Sequence, residues 1–186
     1  MEMRDRLIAL IKERSFMKSD EPVFRLSSGK MSNFYFDLKK TTYSPEGLYL
    51  VGNLVFDRIK ELGLCPKGIG GLTLGADPIA LATSYTSYLR GEPIEAMVIR
   101  KEPKAHGTGS QVEGYIRPGD EVVIIDDVIT TGASTIKAIE AARTSGLKVI
   151  GVIVILDRCE CEGRQNIERL GLPVYPILTI SDFIKE

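Results

Sequence analysis

The chain reads as an α/β protein, a mainly parallel sheet flanked by helices, and three observations predict it. Short apolar runs of strand length alternate with helix-length segments from residue 43 onward, the rhythm of βαβ units. The run 122–125, Val-Val-Ile-Ile, has the continuous β-branched character of a strand buried on both faces. That run leads into two carboxylates and then a small-residue turn opening a helix, the place where open α/β sheets bind ligands.

Taken in order, residues 1–14 interleave charge with Leu and Ile at helical spacing, which predicts an amphipathic surface helix rather than a signal peptide. Residues 23–38 fall outside the α/β rhythm and read as two short strands around a Ser28-Gly29 turn. Together with the first helix they form a cap over one end of the sheet. Ser44-Pro45 supplies an N-cap and a first helical residue, and Val51, Leu54, Val55, Ile59 and Leu62 then recur at helical spacing. Strands are expected at 67–70, 94–99, 121–125, 149–156 and 174–176, and helices at 76–88, 134–144 and 162–170. No repeat or long linker interrupts the chain. We therefore read residues 1–186 as one domain, with a helix and hood over 1–42 and an α/β core over 43–186.

Composition narrows the function. Hydrophobic residues make up 44% and charged residues 26%, ordinary values for a globular protein. The net charge of −1, from 24 basic and 25 acidic residues, provides no global field for nucleic acid or anionic lipid. The longest apolar run, 149–156, is strand-sized, so no membrane partner is expected. Cys65, Cys159 and Cys161 are an odd, sparse set without zinc-site spacing. They read as incidental thiols and suit a reducing cytoplasm.

The chemistry concentrates in two segments. In the first, Asp126 and Asp127 close the 122–125 strand and Val128, Ile129, Thr130, Thr131, Gly132, Ala133 and Ser134 follow. Amide groups at a helix start suit a phosphate, hydroxyls add donors without bulk, and Gly132 lets backbone approach closely. A helix cap alone requires less than this. Paired carboxylates beside an anion site make sense if the ligand also carries hydroxyls, as a ribose does, or develops positive charge. A P-loop motif is absent, and Gly68 to Gly75 lacks dinucleotide-fold spacing. In the second segment Arg100, Lys101, Lys104 and His106, the only histidine, precede Gly107 and Gly109 within a connection of about 20 residues between strands. Read alone this is a solvated basic loop; beside a phosphate cradle it is a lid that could clamp a pyrophosphate.

Both segments resemble the type I phosphoribosyltransferases. V-V-I-I-D-D-V-I-T-T-G-A-S is similar to that superfamily's phosphoribosyl pyrophosphate signature, and R-K-E-P-K-A-H-G to the catalytic loop of its orotate branch. Residues 24–37 resemble the hood that covers orotate, and Leu156-Asp157-Arg158 the strand end whose arginine meets the pyrimidine. The resemblance implies that Asp126 and Asp127 hold the ribose hydroxyls, while residues 128–134 line the sugar pyrophosphate and Thr130 to Ser134 cradle its 5-phosphate. It implies that Thr130, Arg158, Phe34 and Tyr35 meet orotate. Arg100, Lys101, Lys104 and His106 would serve the pyrophosphate, with Lys104, His106, Asp126 and Asp127 the catalytic group. It further implies Mg²⁺ carried mainly by substrate and water, and a homodimer in which each lid completes the neighbouring subunit's site. Two positions depart from the pattern. Ser27 stands where many members carry lysine, and Gly71 to Asp77 replaces a loop that elsewhere contains Tyr-Lys. A transferase for another base would keep the cradle but not this lid. A transcriptional regulator on the same fold would need a nucleic-acid-binding domain or a basic surface, for which the first 42 residues are too short.

Overall fold

The structure is a computed structural model that describes residues 2–26, 29–102 and 110–184. Helix α1 (Met3–Arg14) is followed by β1 (Phe16–Lys18), β2 (Phe24–Arg25), β3 (Met31–Ser32), β4 (Phe34–Phe36) and the single-turn α2 (Lys39–Thr42). The core then alternates: α3 (Pro45–Glu61), β5 (Gly68–Leu72), α4 (Asp77–Leu89), β6 (Glu95–Ile99), β7 (Val112–Gly114), β8 (Glu121–Ile129), α5 (Ala133–Thr144), β9 (Lys148–Asp157), α6 (Gly163–Glu168) and β10 (Val174–Thr179). As expected from Ser44-Pro45, the Ser44 hydroxyl accepts from the Gly47 amide and Pro45 opens α3.

Six strands form one sheet in the order β10-β9-β8-β5-β6-β7, parallel except for the antiparallel edge pair β6–β7. Strand β8 shows why its apolar run is continuous. Val123 and Ile125 join the core under α1, α3 and α4, whereas Val122 and Ile124 join the core under α5 and α6. From β5 the chain steps outward to β6 and β7, then returns to place β8 on the other side of β5. The strand order therefore reverses between β5 and β8. Crevices at the carboxyl ends of strands open at such a reversal.

Three elements differ from the sequence reading. Strand β8 does not end at 125 but continues through both carboxylates to Ile129, because β9 pairs with it as far as Ile129↔Asp157. On its other side the β5 ladder stops at Ile124, which opens the crevice beside Asp127. The hood is two ribbons rather than one pair of strands. β2 pairs with β3 as a hairpin, while β4 pairs with β1. The second pairing follows aromatic packing: Phe16 stacks on Phe34 and Phe36 at 5.9 and 4.8 Å, and Phe36 meets Phe183 edge-on at 5.1 Å. The 20-residue connection also contains β7, which returns antiparallel along β6. Lys104, His106, Gly107, Gly109 and the Ser27-Ser28 turn lie outside the described residues.

Candidate active site

The site is built where β8 runs into α5. Gly132 takes φ +78 between them, and a Cβ there would sit 2.7 Å from the Gly163 carbonyl oxygen. Only glycine meets both demands without displacing backbone. Asn166 of α6 donates to the Thr131 carbonyl at 3.0 Å, so α6 braces the turn from behind. The N-cap of α5 carries no side chain, and Ala133 and Ser134 in its first turn are exposed. An anion approaching here meets backbone amides and the helix's positive end.

The two carboxylates, adjacent in a strand, point to opposite faces. Asp126 is 5% exposed and turned toward α5: its Oδ2 accepts from the hydroxyls of Ser134 at 2.9 Å and Thr135 at 2.7 Å, and its Oδ1 from the Asp127 amide at 3.0 Å. Burial, with the Asp127 charge next to it, pushes the Asp126 carboxyl up to about 7 despite those bonds. Asp127 faces the crevice, where its Oδ1 accepts from the Val128 amide at 2.9 Å. Burial raises its carboxyl too, opposed chiefly by the charge of Lys39. The structure thus separates the pair: Asp126 braces the cradle, and Asp127 presents an acceptor to a ligand. The Ser134 hydroxyl is engaged by Asp126.

Arg158 follows β9, its amide bonded to the Ile129 carbonyl at 3.1 Å, which brings it beside the end of β8. Its guanidinium is buried beneath the hood. There it donates to the Phe34 carbonyl at 3.3 Å, to Ser32 Oγ at 3.2 Å and to Glu160, and it lies 5.5 Å over the Phe36 ring. The Phe34 side chain packs inward on Phe16, so its carbonyl rather than its ring faces Arg158; Tyr35 stacks on Phe24 at 5.9 Å. Arg100 and Lys101 follow β6 and line a cleft of about 470 Å³ with Thr73, Leu74, Val98, Glu102 and Glu113. Arg100 holds Glu113 at 3.6 Å.

Some residues that shape the site were missed by sequence reasoning. Gly75 abuts Asp127, whose Oδ1 would lie 2.8 Å from a Cβ at that position. Thr73 Oγ1 donates to Asp77 at 2.6 Å and fixes the start of α4. Lys39, on the hood side, pairs with Asp37 and its charge opposes the rise of the Asp127 carboxyl, and Asn166 meets the turn from α6. The Lys39-Lys40 pair was a visible signal, but nothing in the sequence separates it from solvated charge. Asn166 left no signal, because its partner is a carbonyl 35 residues away.

A mainly parallel sheet whose order reverses beside a glycine turn, a helix start and a crevice carboxylate has the architecture of a phosphoribosyl transferase. The model of the phosphoribosyl transferase domain family matches residues 79–171. The orotate phosphoribosyltransferase of Aquifex aeolicus is 49% identical over 181 residues, covering 97% of both chains. Among solved structures, the Mycobacterium tuberculosis orotate phosphoribosyltransferase in complex with Fe(III) dicitrate is 33% identical with a TM-score of 0.83, covering 97% of this chain and 98% of that one. The same enzyme in complex with 5-phospho-α-D-ribosyl 1-diphosphate is 31% identical with a TM-score of 0.78, again covering 97% and 98%. This chain belongs to the orotate phosphoribosyltransferase family of pentosyltransferases.

Proposed function

We propose that the protein transfers ribose 5-phosphate from 5-phosphoribosyl 1-pyrophosphate to N1 of orotate, releasing orotidine 5′-monophosphate and pyrophosphate in pyrimidine biosynthesis. The observation that carries this reading is the juxtaposition at the end of β8: the Thr130–Ser134 cradle on one side, Asp127 in the crevice, and Arg158 beneath the hood. The 5-phosphate takes the amides of the turn and of α5, the ribose hydroxyls take Asp127, and the anionic base is drawn toward Arg158, with Thr130, Phe34 and Tyr35 around it. Arg158 spends its donors on the hood, so orotate binding exchanges some of those bonds for the ligand's oxygens. The pyrophosphate lies over the cleft at Arg100 and Lys101, with Lys104 and His106 farther along the same loop. No covalent intermediate is required. Bond cleavage leaves negative charge on the pyrophosphate and positive charge on the sugar, and fixed charges placed at both ends favour that separation.

Mg²⁺ would come mainly with substrate and water rather than on side chains of the protein, and would supply charge screening for the leaving group. One observation supports that placement: the Asp126 oxygens are engaged by Ser134, Thr135 and the Asp127 amide.

A homodimer fits a groove of about 640 Å³ between α3 and α4. It is lined by Leu48, Tyr49, Leu81, Tyr85 and Leu89 and bordered by Tyr43. Tyr85 and Leu89 are 67% and 65% exposed, unusual for large apolar side chains so close together. Tyr43 Oη donates to the Leu74 carbonyl at 3.1 Å, which connects this face to the pyrophosphate cleft. A second copy on the groove therefore lies within reach of the site. No helix among the described residues is long and apolar enough to cross a membrane, and three unpaired thiols suit a reducing cytoplasm. Purified protein given orotate, the sugar pyrophosphate and Mg²⁺ is expected to deplete orotate absorbance with one pyrophosphate released per orotate consumed. The absence of both orotate depletion and pyrophosphate release would refute the reading.

A further inference from the structure

Resting on the proposed role of Arg158 as the contact for an anionic base, we infer that Glu160 is a specificity-determining residue that acts through that arginine. In the unliganded site its carboxylate fills the guanidinium edge that a carboxylated base needs, and the base enters by displacing it. Arg158 is buried, its side chain 3% exposed, and a guanidinium carries five N–H donors in a rigid plane. Nη1 and Nη2 both donate to the Phe34 carbonyl at 3.3 Å, and Nη2 also to Ser32 Oγ at 3.2 Å. The edge formed by Nε and Nη2 faces Glu160: Nε donates to Oε2 at 3.3 Å, and Nη2 to Oε1 and Oε2, each at 3.2 Å. Two parallel donors of this kind match a carboxylate. A side chain of the protein already occupies them.

The pair is built to open at the glutamate. Its separations exceed the about 2.7–2.9 Å of a tight charge-assisted bond, and the Glu160 side chain is 32% exposed, so solvent can take the place of Arg158. The backbone around it is tied. The Cys159 amide bonds to Asp157 Oδ1 at 2.8 Å, the Gly163 amide to the Glu160 carbonyl at 3.2 Å, and Asn166 donates to the Cys161 carbonyl at 3.5 Å. Cys159 and Cys161, on either side of Glu160, hold φ of +52 and +53. Non-glycine residues keep such conformations where surrounding contacts impose them. The side chain is then the part that moves. It lines a cavity of about 210 Å³ beneath the hood hairpin, with Lys30, Met31 and Cys161, which gives the carboxylate room to turn away. Two carboxylates cannot share one guanidinium edge, because like charges at that spacing repel. Glu160 therefore keeps a buried cation paired while the site is empty, and an anionic base has to outcompete it. A ligand without a carboxylate does not enter this competition, so Glu160 lowers affinity for carboxylated ligands selectively.

Wild type, Glu160→Gln and Glu160→Ala are compared by calorimetric titration with orotidine 5′-monophosphate and uridine 5′-monophosphate, two nucleotides that differ only in the carboxylate. Gln keeps an acceptor for Arg158 and loses the charge; Ala loses both. In both variants affinity for orotidine 5′-monophosphate should rise about three- to tenfold, as for an edge that is free roughly a tenth to a third of the time. Affinity for uridine 5′-monophosphate should change less than about twofold, and KM for orotate should fall in step with the first ligand. Unchanged or weaker binding of orotidine 5′-monophosphate overturns the proposal, the second marking Glu160 as a support for Arg158. An equal change for both nucleotides overturns it too, as a general effect on the site. The unmodified protein gives an independent check: with orotidine 5′-monophosphate bound, a crystal structure should show Glu160 more than about 4 Å from the Arg158 nitrogens, and a retained pair contradicts the proposal. A wild type that does not consume orotate refutes the functional reading instead, and the two affinities still decide whether Glu160 competes with a ligand carboxylate.

Discussion

Asp126 and Asp127 are neighbours in sequence with opposite environments, and strand alternation is the cause. One side chain is spent on Ser134 and Thr135, the other opens to the crevice. The sequence identified the pair as chemically important but could not separate their tasks, because that division depends on α5 covering one face of β8 while the β5 ladder stops short on the other. The separation has a measurable consequence in the unliganded protein. The Asp126 carboxyl is raised from 3.8 to about 7, so the folded state binds a proton that the unfolded state has released. Stability contributed at this position is therefore fully present below the lower value and lost as pH rises through the higher one. Asp126→Asn is expected to raise the melting temperature by a few degrees at about pH 8 and to leave it nearly unchanged near pH 4, while activity falls. Calorimetry at the two pH values checks the sign; a variant less stable at pH 8 than the wild type would show that Asp126 is a stabilising anion.

At the scale of elements, the α/β alternation was legible because each core element announces itself locally: Ser44-Pro45 before α3, the β-branched runs of β8 and β9, small residues at the start of α5. The hood was legible only as an exception to that rhythm. Its second ribbon depends on Phe16 stacking on Phe34 and Phe36 about 20 residues away, a contact that no local pattern encodes. Single-turn α2, which carries Lys39, is too short to show any periodicity. The β8–turn–α5 unit, by contrast, was readable down to its glycine, and the structure adds the reason: a left-handed backbone pressed against Gly163. Gly132→Ala is expected to cost about 2 kcal/mol, or roughly 4–8 °C in melting temperature, from the left-handed conformation and the backbone collision together. Its KM for the sugar pyrophosphate should rise at least about tenfold, since the displaced turn is the phosphate cradle. Unchanged KM in a destabilised variant would separate the turn from ligand binding.

For the whole molecule, the apolar groove between α3 and α4 and the Tyr43–Leu74 bond beside the Arg100 cleft are what motivate the proposed homodimer. If each lid completes the neighbouring site, a dimer of one Lys104→Ala chain and one Asp127→Asn chain gathers both lesions in one site and leaves the other intact. Each homodimer should be nearly inactive. Co-refolded mixtures, about half of them mixed dimers with one intact site, should recover roughly a quarter of wild-type activity. Verified subunit exchange without recovery would confine each lid to its own subunit. In the proposed function, Arg158 and the hood select a carboxylated pyrimidine. A base without that carboxylate leaves buried donors unmatched, a loss of roughly 2–4 kcal/mol. The most direct measurement is kcat/KM for orotate and for uracil under one assay with saturating sugar pyrophosphate. A preference for orotate of about thirtyfold or more is the predicted result, and comparable values for the two bases would contradict it.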